Sequence, residues 1–137
     1  MEDYTLLEGA PSVAAYVRLR AESGLTPKTE EQAAGAVAGG WWACHVRHEP
    51  TGETVAMGRL LGDGGWYFHV VDMAVLPAHQ RRGLGDRVLT ALLDRVHQHA
   101  PPGAYISLMA DAPGRRLYAR HGFVDSAPHS VGMVLPR

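Results

Sequence analysis

Apolar side chains recur at Val88, Leu89, Leu92, Leu93 and Val96, the i, i+1, i+4, i+5, i+8 spacing of one face of a helix running from Asp86 to about His99. The "PPG" at 101–103 stops it. Upstream the pattern is different. Residues 41–76, "WWACHVRHEPTGETVAMGRLLGDGGWYFHVVDMAVL", break into three apolar runs at "EPTGE" and "GDGG". Each break holds a glycine that tolerates the positive φ of a tight hairpin, so the pattern predicts a three-stranded antiparallel meander ended by Pro77. Before it, "YTLLEG" predicts a first strand. Pro11 and Ser12 then open a helix with Val13, Tyr16 and Val17 on one face and Gly24 closing it. Thr29, followed by Glu30 and Glu31, opens a second helix, which Gly35, Gly39 and Gly40 keep short. After the long helix, "AYISLMA" predicts a buried strand and "DAPGRRLYARHG" a helix capped by Gly122. "FVDS" and "SVGMVL" predict two closing strands. No internal repeat or interdomain linker interrupts this order, so residues 1–137 predict one mixed α/β domain.

Composition narrows the class. A hydrophobic fraction of 46% and a charged fraction of 20% belong to ordinary globular proteins, and 137 residues can build a core without disulfides. A formal net charge of −1 argues against a nucleic-acid or membrane-surface binder, whose mark is a basic excess. Lys28 is the only lysine, an arginine bias that coding preference explains better than phosphate chemistry. Cys44 is the only cysteine, which excludes an internal disulfide and makes a reducing, cytoplasmic setting the default expectation. Beside Trp41 and Trp42 it reads as a small buried hydrophobe rather than a nucleophile. The start "MEDYTLLEGA" lacks the pattern of a signal peptide, and no run reaches the ~18 apolar residues of a membrane span. The histidines form no metal motif: His97 and His99 fall on different helix faces, and no H-E-x-x-H occurs, so no metal is expected.

The densest chemistry stands where strand gives way to helix, at "QRRGLG", residues 80–85. A helix starting just after Gly83 leaves its first N–H groups without intrahelical partners, and the positive end of its dipole faces the same way. Gly83 and Gly85 let a bulky anion approach the backbone without meeting a Cβ, and Arg81 and Arg82 add charge. A diphosphate suits such a junction. The dinucleotide fingerprint G-x-G-x-x-G fails at Val88, and a P-loop would need a Lys and a Ser or Thr that do not follow.

At this junction the chain resembles the GNAT superfamily of acyl-CoA-dependent N-acyltransferases. "QRRGLG" matches the family's pyrophosphate signature Q/R-x-x-G-x-G/A, directly after a strand ending "MAVLP". "LYARHGF", residues 117–123, resembles the family's L-Y-x-x-x-G-F segment, and one helix and one strand intervene. The resemblance runs from about Trp41 onward and implies a central, mostly antiparallel sheet of six to seven strands flanked by about four helices. It implies acetyl-CoA as cosubstrate, held by Gln80, Arg81, Arg82, Gly83, Leu84, Gly85 and Asp86 at the diphosphate. The backbone of Met73, Ala74 and Val75 would meet the pantetheine arm, with an N–H near Val75 facing the thioester oxygen as its charge develops. Tyr118 matches the family tyrosine beside the sulfur, and a phenol of pKa near 10 is protonated at neutral pH, as a general acid must be. For the base, the resemblance puts His69 at the place of a carboxylate found in some members, with Asp72 the nearest acid. The two have opposite parity on a regular strand, so only one faces a given side unless a bulge intervenes, and ordered water could serve instead. Many relatives carry an Asn six residues before the L of L-Y; here it is Asp111, which can cap a helix but cannot donate an amide N–H.

The expected reaction is therefore acetyl transfer to a primary amine by direct attack in a ternary complex. Tyr16, Glu22, Glu30, Glu31, Trp41, Trp42, His45, Trp66, Tyr67 and Phe68 are the candidates for an acceptor pocket, which would suit a small amine on an apolar or aromatic body. A protein lysine or N-terminus as acceptor, or a CoA-binding sensor without turnover, are the alternatives. Relatives are often dimers, so a homodimer is allowed, but no interface is specified.

Overall fold

The computed structural model describes residues 3–136. Five strands form one sheet in the order β1 (Tyr4–Glu8), β2 (Trp42–His48), β3 (Glu53–Gly62), β4 (Tyr67–Val75) and β5 (Tyr105–Leu108). β1 to β4 pair antiparallel, and β5 joins β4 in parallel. The meander predicted for residues 41–76 is present, with Gly52 and Gly64 at φ 70° and 76° in its two turns.

The helices are α1 (Val13–Glu22), α2 (Glu30–Ala38), α3 (Leu84–His99) and α4 (Arg115–Arg120). Their starts follow local chemistry. Ser12 Oγ accepts from Ala15 N at 3.1 Å, and Thr29 exchanges hydrogen bonds with Gln32 in a capping box. On α3 the apolar stripe buries Leu84, Val88, Leu89, Leu92 and Val96, while Leu93 stays half-buried. Gly58 and Arg59 show how the layers divide. A Cβ on Gly58 would stand 2.6 Å from Val88 and 3.0 Å from Leu92, whereas Arg59 Nη1 reaches Ala36 O on α2 at 2.9 Å. Adjacent residues of a strand face opposite sides, so α3 covers one face of the sheet and α1 and α2 the other. Cys44 lies in the core, where burial pushes its thiol up to about 12. Among the described residues no helix is long and apolar enough to cross a membrane.

Two expectations are corrected. The sheet has five strands rather than six to seven, because residues 123–126 and 130–135 form none. Their alternation is strand-like, but a strand needs a hydrogen-bonding partner, and among the described residues no strand pairs with the outer edge of β5. β5 itself is a half-exposed edge strand rather than a buried one, with Tyr105 48% exposed.

Candidate active site

The site opens where two strands part. β5 pairs only with Tyr67–Val70, so from Val71 onward that edge of β4 has no strand beside it. On its other edge β4 is bulged: Val71 faces Arg59 and Ala74 faces Met57, leaving Asp72 and Met73 opposite Gly58 alone. Asp72 takes φ 59° to make the bulge. The resulting cleft, about 1090 Å³, has Met73, Ala74 and Val75 on one wall and Met109, Leu117 and Tyr118 among its other lining residues.

The glycine junction lines the same cleft. Gly83 caps α3 at φ 77°, in the left-handed region that only glycine adopts freely, and Arg81 stands at φ 63° before it. The first helical bond runs from Arg87 N to Gly83 O at 3.0 Å, so the N–H groups of Leu84, Gly85 and Asp86 have no intrahelical partner. Beyond its neighbours in the chain, no atom of the described residues lies within 4 Å of where a Gly83 Cβ would be, while a Cβ on Gly85 would sit 3.3 Å from Leu117. These features fit a diphosphate. Gln80 has a further part: its Nε2 donates to Val75 O at 3.0 Å and ties the loop to the end of β4. Arg81 and Asp86 line the cleft, but Arg82 is exposed and does not. Asp86 is bound to His121 at 2.7 Å, linking α3 to the end of α4. Arg116 and Arg120 also line the cleft and were not foreseen; their i, i+4 spacing in "RRLYAR" was the available signal.

Tyr118 lies on α4 with its ring over Gly114, whose Cβ would come within 2.8 Å of it. Burial, then the charge of Asp111, raises its phenol above the ordinary value. Asp111 caps a 3-10 turn at Ala112–Gly114 through its backbone, without a side-chain cap bond.

His69 and Asp72 both line the cleft, but only His69 is uncommitted. Ser107 Oγ donates to Phe68 O at 3.4 Å and accepts from His69 Nδ1 at 2.9 Å, which leaves the Nε2 lone pair available. Burial lowers the imidazole's pKa, so it is neutral at pH 7. Asp72 is enclosed. Its Oδ1 accepts from Arg20 at 2.6 Å, and its Oδ2 accepts from Arg59 at 2.7 Å and from the Tyr16 hydroxyl at 2.8 Å. Burial alone would raise its pKa, but these bonds outweigh it and hold the carboxyl below the usual range. A carboxylate so occupied cannot readily take a proton. Arg20 also donates to Thr26 O at 2.7 Å, fastening the α1–α2 loop to the bulge.

The aromatic acceptor set is not assembled; of its members only Tyr16 lines the cleft. Trp41 packs on buried Phe68, with ring centroids 4.7 Å apart, and Arg95 lies over Trp42. Trp66 and Tyr67 are exposed beside Tyr105. His45 bonds Gly9 O, Glu22 pairs with Arg18, and Glu30 and Glu31 are exposed in the first turn of α2. Around the bulge the cleft is lined instead by Tyr16, Arg20, Lys28, Arg59 and the loop 23–26. Among the described residues no three His, Cys, Asp or Glu side chains gather as a metal would need.

A sheet opened beside a bulge, with a glycine-capped helix at the opening, defines an acyl-CoA N-acyltransferase fold. The chain matches the Acetyltransferase (GNAT) family over residues 10–123 and belongs to it. Acetyl-CoA is the family's cosubstrate. Among solved structures, SA2161 from methicillin-resistant Staphylococcus aureus, described as a protein of unknown function and probable acetyltransferase, is 29% identical with a TM-score of 0.91, covering 98% of this chain and 99% of its own. Two others share the fold at lower identity. Glucosamine-6-phosphate N-acetyltransferase from Arabidopsis thaliana is 17% identical with a TM-score of 0.73, covering 97% of both chains. The ribosomal-protein-S18-alanine N-acetyltransferase from Escherichia coli is 19% identical with a TM-score of 0.75, covering 90% of this chain and 79% of its own. One is named for a sugar phosphate and the other for a ribosomal protein, so the fold does not name the acceptor. No curated protein matches the chain significantly.

Proposed function

We propose that this GNAT enzyme moves the acetyl group of acetyl-CoA to a primary amine of a small molecule, by direct attack in a ternary complex. The observation that carries the reading is the unpaired edge of β4. It starts beside His69, passes the bulge, and ends at the loop of Gln80 to Gly85, with Tyr118 lining the same cleft. The N–H groups of Leu84, Gly85 and Asp86 would hold the diphosphate, and Arg81 would add charge. The free edge at Met73, Ala74 and Val75 would hydrogen-bond the pantetheine arm and offer a donor to the thioester oxygen. His69 Nε2 takes a proton from the attacking amine. The amine nitrogen forms its bond to the acetyl carbon as the carbon–sulfur bond breaks, the electron pair leaves on sulfur, and the Tyr118 hydroxyl supplies its proton.

Fastening of the α1–α2 loop by Arg20 supports a small acceptor over a long polypeptide, since the loop forms part of the cleft lining. An apolar or aromatic body for that acceptor has lost its support, because the aromatic side chains lie elsewhere. The buried single thiol of Cys44 accords with a cytoplasmic setting. The test is incubation with acetyl-CoA and a panel of small amines, reading released thiol. Turnover above hydrolysis with at least one amine is expected. Tight CoA binding with no amine-dependent thiol release would leave a sensor and overturn the enzyme reading.

A further inference from the structure

Around the bulge of β4 the cleft is lined by three cations, Arg20, Lys28 and Arg59, and by one carboxylate, Asp72. The other two acids of the lining stand elsewhere: Asp86 is held by His121, and Asp111 lies where its charge reaches Tyr118. His69 is neutral at pH 7. Two positive charges around the bulge are therefore left without a protein counter-charge. The Arg20 and Arg59 side chains are 13% and 10% exposed, so water compensates them poorly.

The three cations are not equally engaged. Arg20 gives Nη1 to Asp72 and both Nε and Nη2 to Thr26 O, so each of its nitrogens is committed. Arg59 gives Nε to Asp72 and Nη1 to Ala36 O, and its Nη2 donates to none of the described residues. Lys28 is half-buried two residues beyond Thr26 and forms no ion pair among the described residues. The strand register puts this surplus near the base. Arg59 pairs with Val71 and Leu61 with His69, so Arg59 and His69 project from one face of neighbouring strands as diagonal partners, their backbones roughly 7–8 Å apart. The diphosphate loop is farther off. From Val71 to Val75 the strand runs about 13 Å at ~3.3 Å per residue, and the loop begins beyond Val75. These cations are left for the acceptor rather than for CoA.

We propose that the acceptor amine also carries an oxyanion, a carboxylate or a phosphate, which Arg59 Nη2 and the Lys28 ammonium hold while the amine faces His69 Nε2. An amine without an anion leaves both charges unmatched, and a diamine adds another of the same sign. The inference rests on the acyl-transfer reading and names its substrate class.

The test sets each anionic amine against a neutral partner at equal free-amine concentration: amino acids against their amides, and aminoalkyl phosphates against the amino alcohols, with 1,4-diaminobutane beside them. With acetyl-CoA saturating, at least one anionic amine should exceed its partner in kcat/KM by about tenfold or more, the worth of a charge-assisted hydrogen bond, and the diamine should react least. Lys28→Gln should raise the KM of that anionic amine by about fivefold or more and leave kcat and the acetyl-CoA KM within about twofold. Lys28→Arg, which retains the charge, should retain the preference. A second readout needs no turnover: with CoA bound, the anionic amines should raise the melting temperature of the wild-type protein but not that of Lys28→Gln. Turnover that favours neutral or cationic amines, or an anion preference that Lys28→Gln leaves intact, overturns the proposal while acyl transfer stands. No turnover with any amine, together with an anion-dependent melting shift lost in Lys28→Gln, keeps the anion site and overturns the acyl-transfer reading. Neither turnover nor shift overturns both.

Discussion

Arg59 Nε donates to Asp72 Oδ2 at 2.7 Å across the bulge of β4, and Arg20 bonds the other oxygen of the same carboxylate. The three side chains are 5–13% exposed, so the charges have little water to fall back on. Asp72→Asn keeps a residue that tolerates the left-handed backbone but leaves two guanidiniums facing a neutral amide. Breaking a buried pair in this way costs about 3–5 kcal/mol, read as a lower urea midpoint. The pH dependence has a definite sign. A carboxyl whose folded pKa is lowered contributes stability above its unfolded pKa, ~4, and loses it as pH falls through the folded value. Wild-type stability should therefore drop below about pH 4, and the variant's should drop less. Equal urea midpoints for the two proteins at pH 7 would remove the network from the account of stability.

At the glycine junction the structure separates two causes. Gly83 needs φ 77°, yet the protein leaves open space where its Cβ would be. Gly83→Val should therefore act through backbone strain, about 1–3 kcal/mol, and by filling space meant for ligand. Gly85→Val adds bulk against Leu117 as well. Both should raise the acetyl-CoA KM by tenfold or more, judged on ~1.4 kcal/mol per tenfold, while exposed Arg81→Ala raises it only a few-fold. Steady-state kinetics on the three variants, with melting temperatures alongside, makes the comparison. Similar small changes at all three would count against the cradle.

Legibility followed locality. Thr29, Gly83 and Gly122 could be placed from sequence because caps and left-handed turns depend on a few neighbouring residues. The stripe from Val88 to Val96 was equally plain, since a helix carries its own period. The Asp72 bulge could be raised only as a possibility: its partners are Tyr16 and Arg20 from one helix and Arg59 from the neighbouring strand, brought together only by the fold. Trp66 and Tyr67 failed as pocket residues because an aromatic run reads alike whether it lines a cleft or an edge. "SVGMVL" failed as a strand for a related reason: alternation records side-chain character, and pairing needs a second edge.

Tyr118→Phe keeps the ring over Gly114 and removes only the hydroxyl. If that hydroxyl protonates the departing sulfur, kcat should fall by about 10–100-fold while the acetyl-CoA KM changes less than twofold. Burial, then the Asp111 charge, raises the phenol's pKa, so its proton is lost only above the ordinary phenol range. Any alkaline loss of the wild-type kcat from this group should accordingly have its midpoint above the ordinary phenol value of about 10. An unchanged kcat in the variant would reduce Tyr118 to packing.

His69 gives the complementary limb. Its pKa lies below the ordinary 6.5 because burial disfavours the charged ring, so the basic form is lost only as pH falls below that value. With a weakly basic small amine that is a free base throughout, kcat/KM should be level near neutrality and fall in acid, with its midpoint under pH 6.5. His69→Gln removes the group that titrates; it should lower kcat about 10–100-fold and flatten that acid limb. Ser107→Ala frees Nδ1 to choose its own tautomer, so it should weaken the reaction by a smaller factor and leave the limb in place. The pair of pH profiles distinguishes a base at His69 from proton loss to water, for which the Gln variant would retain both rate and limb.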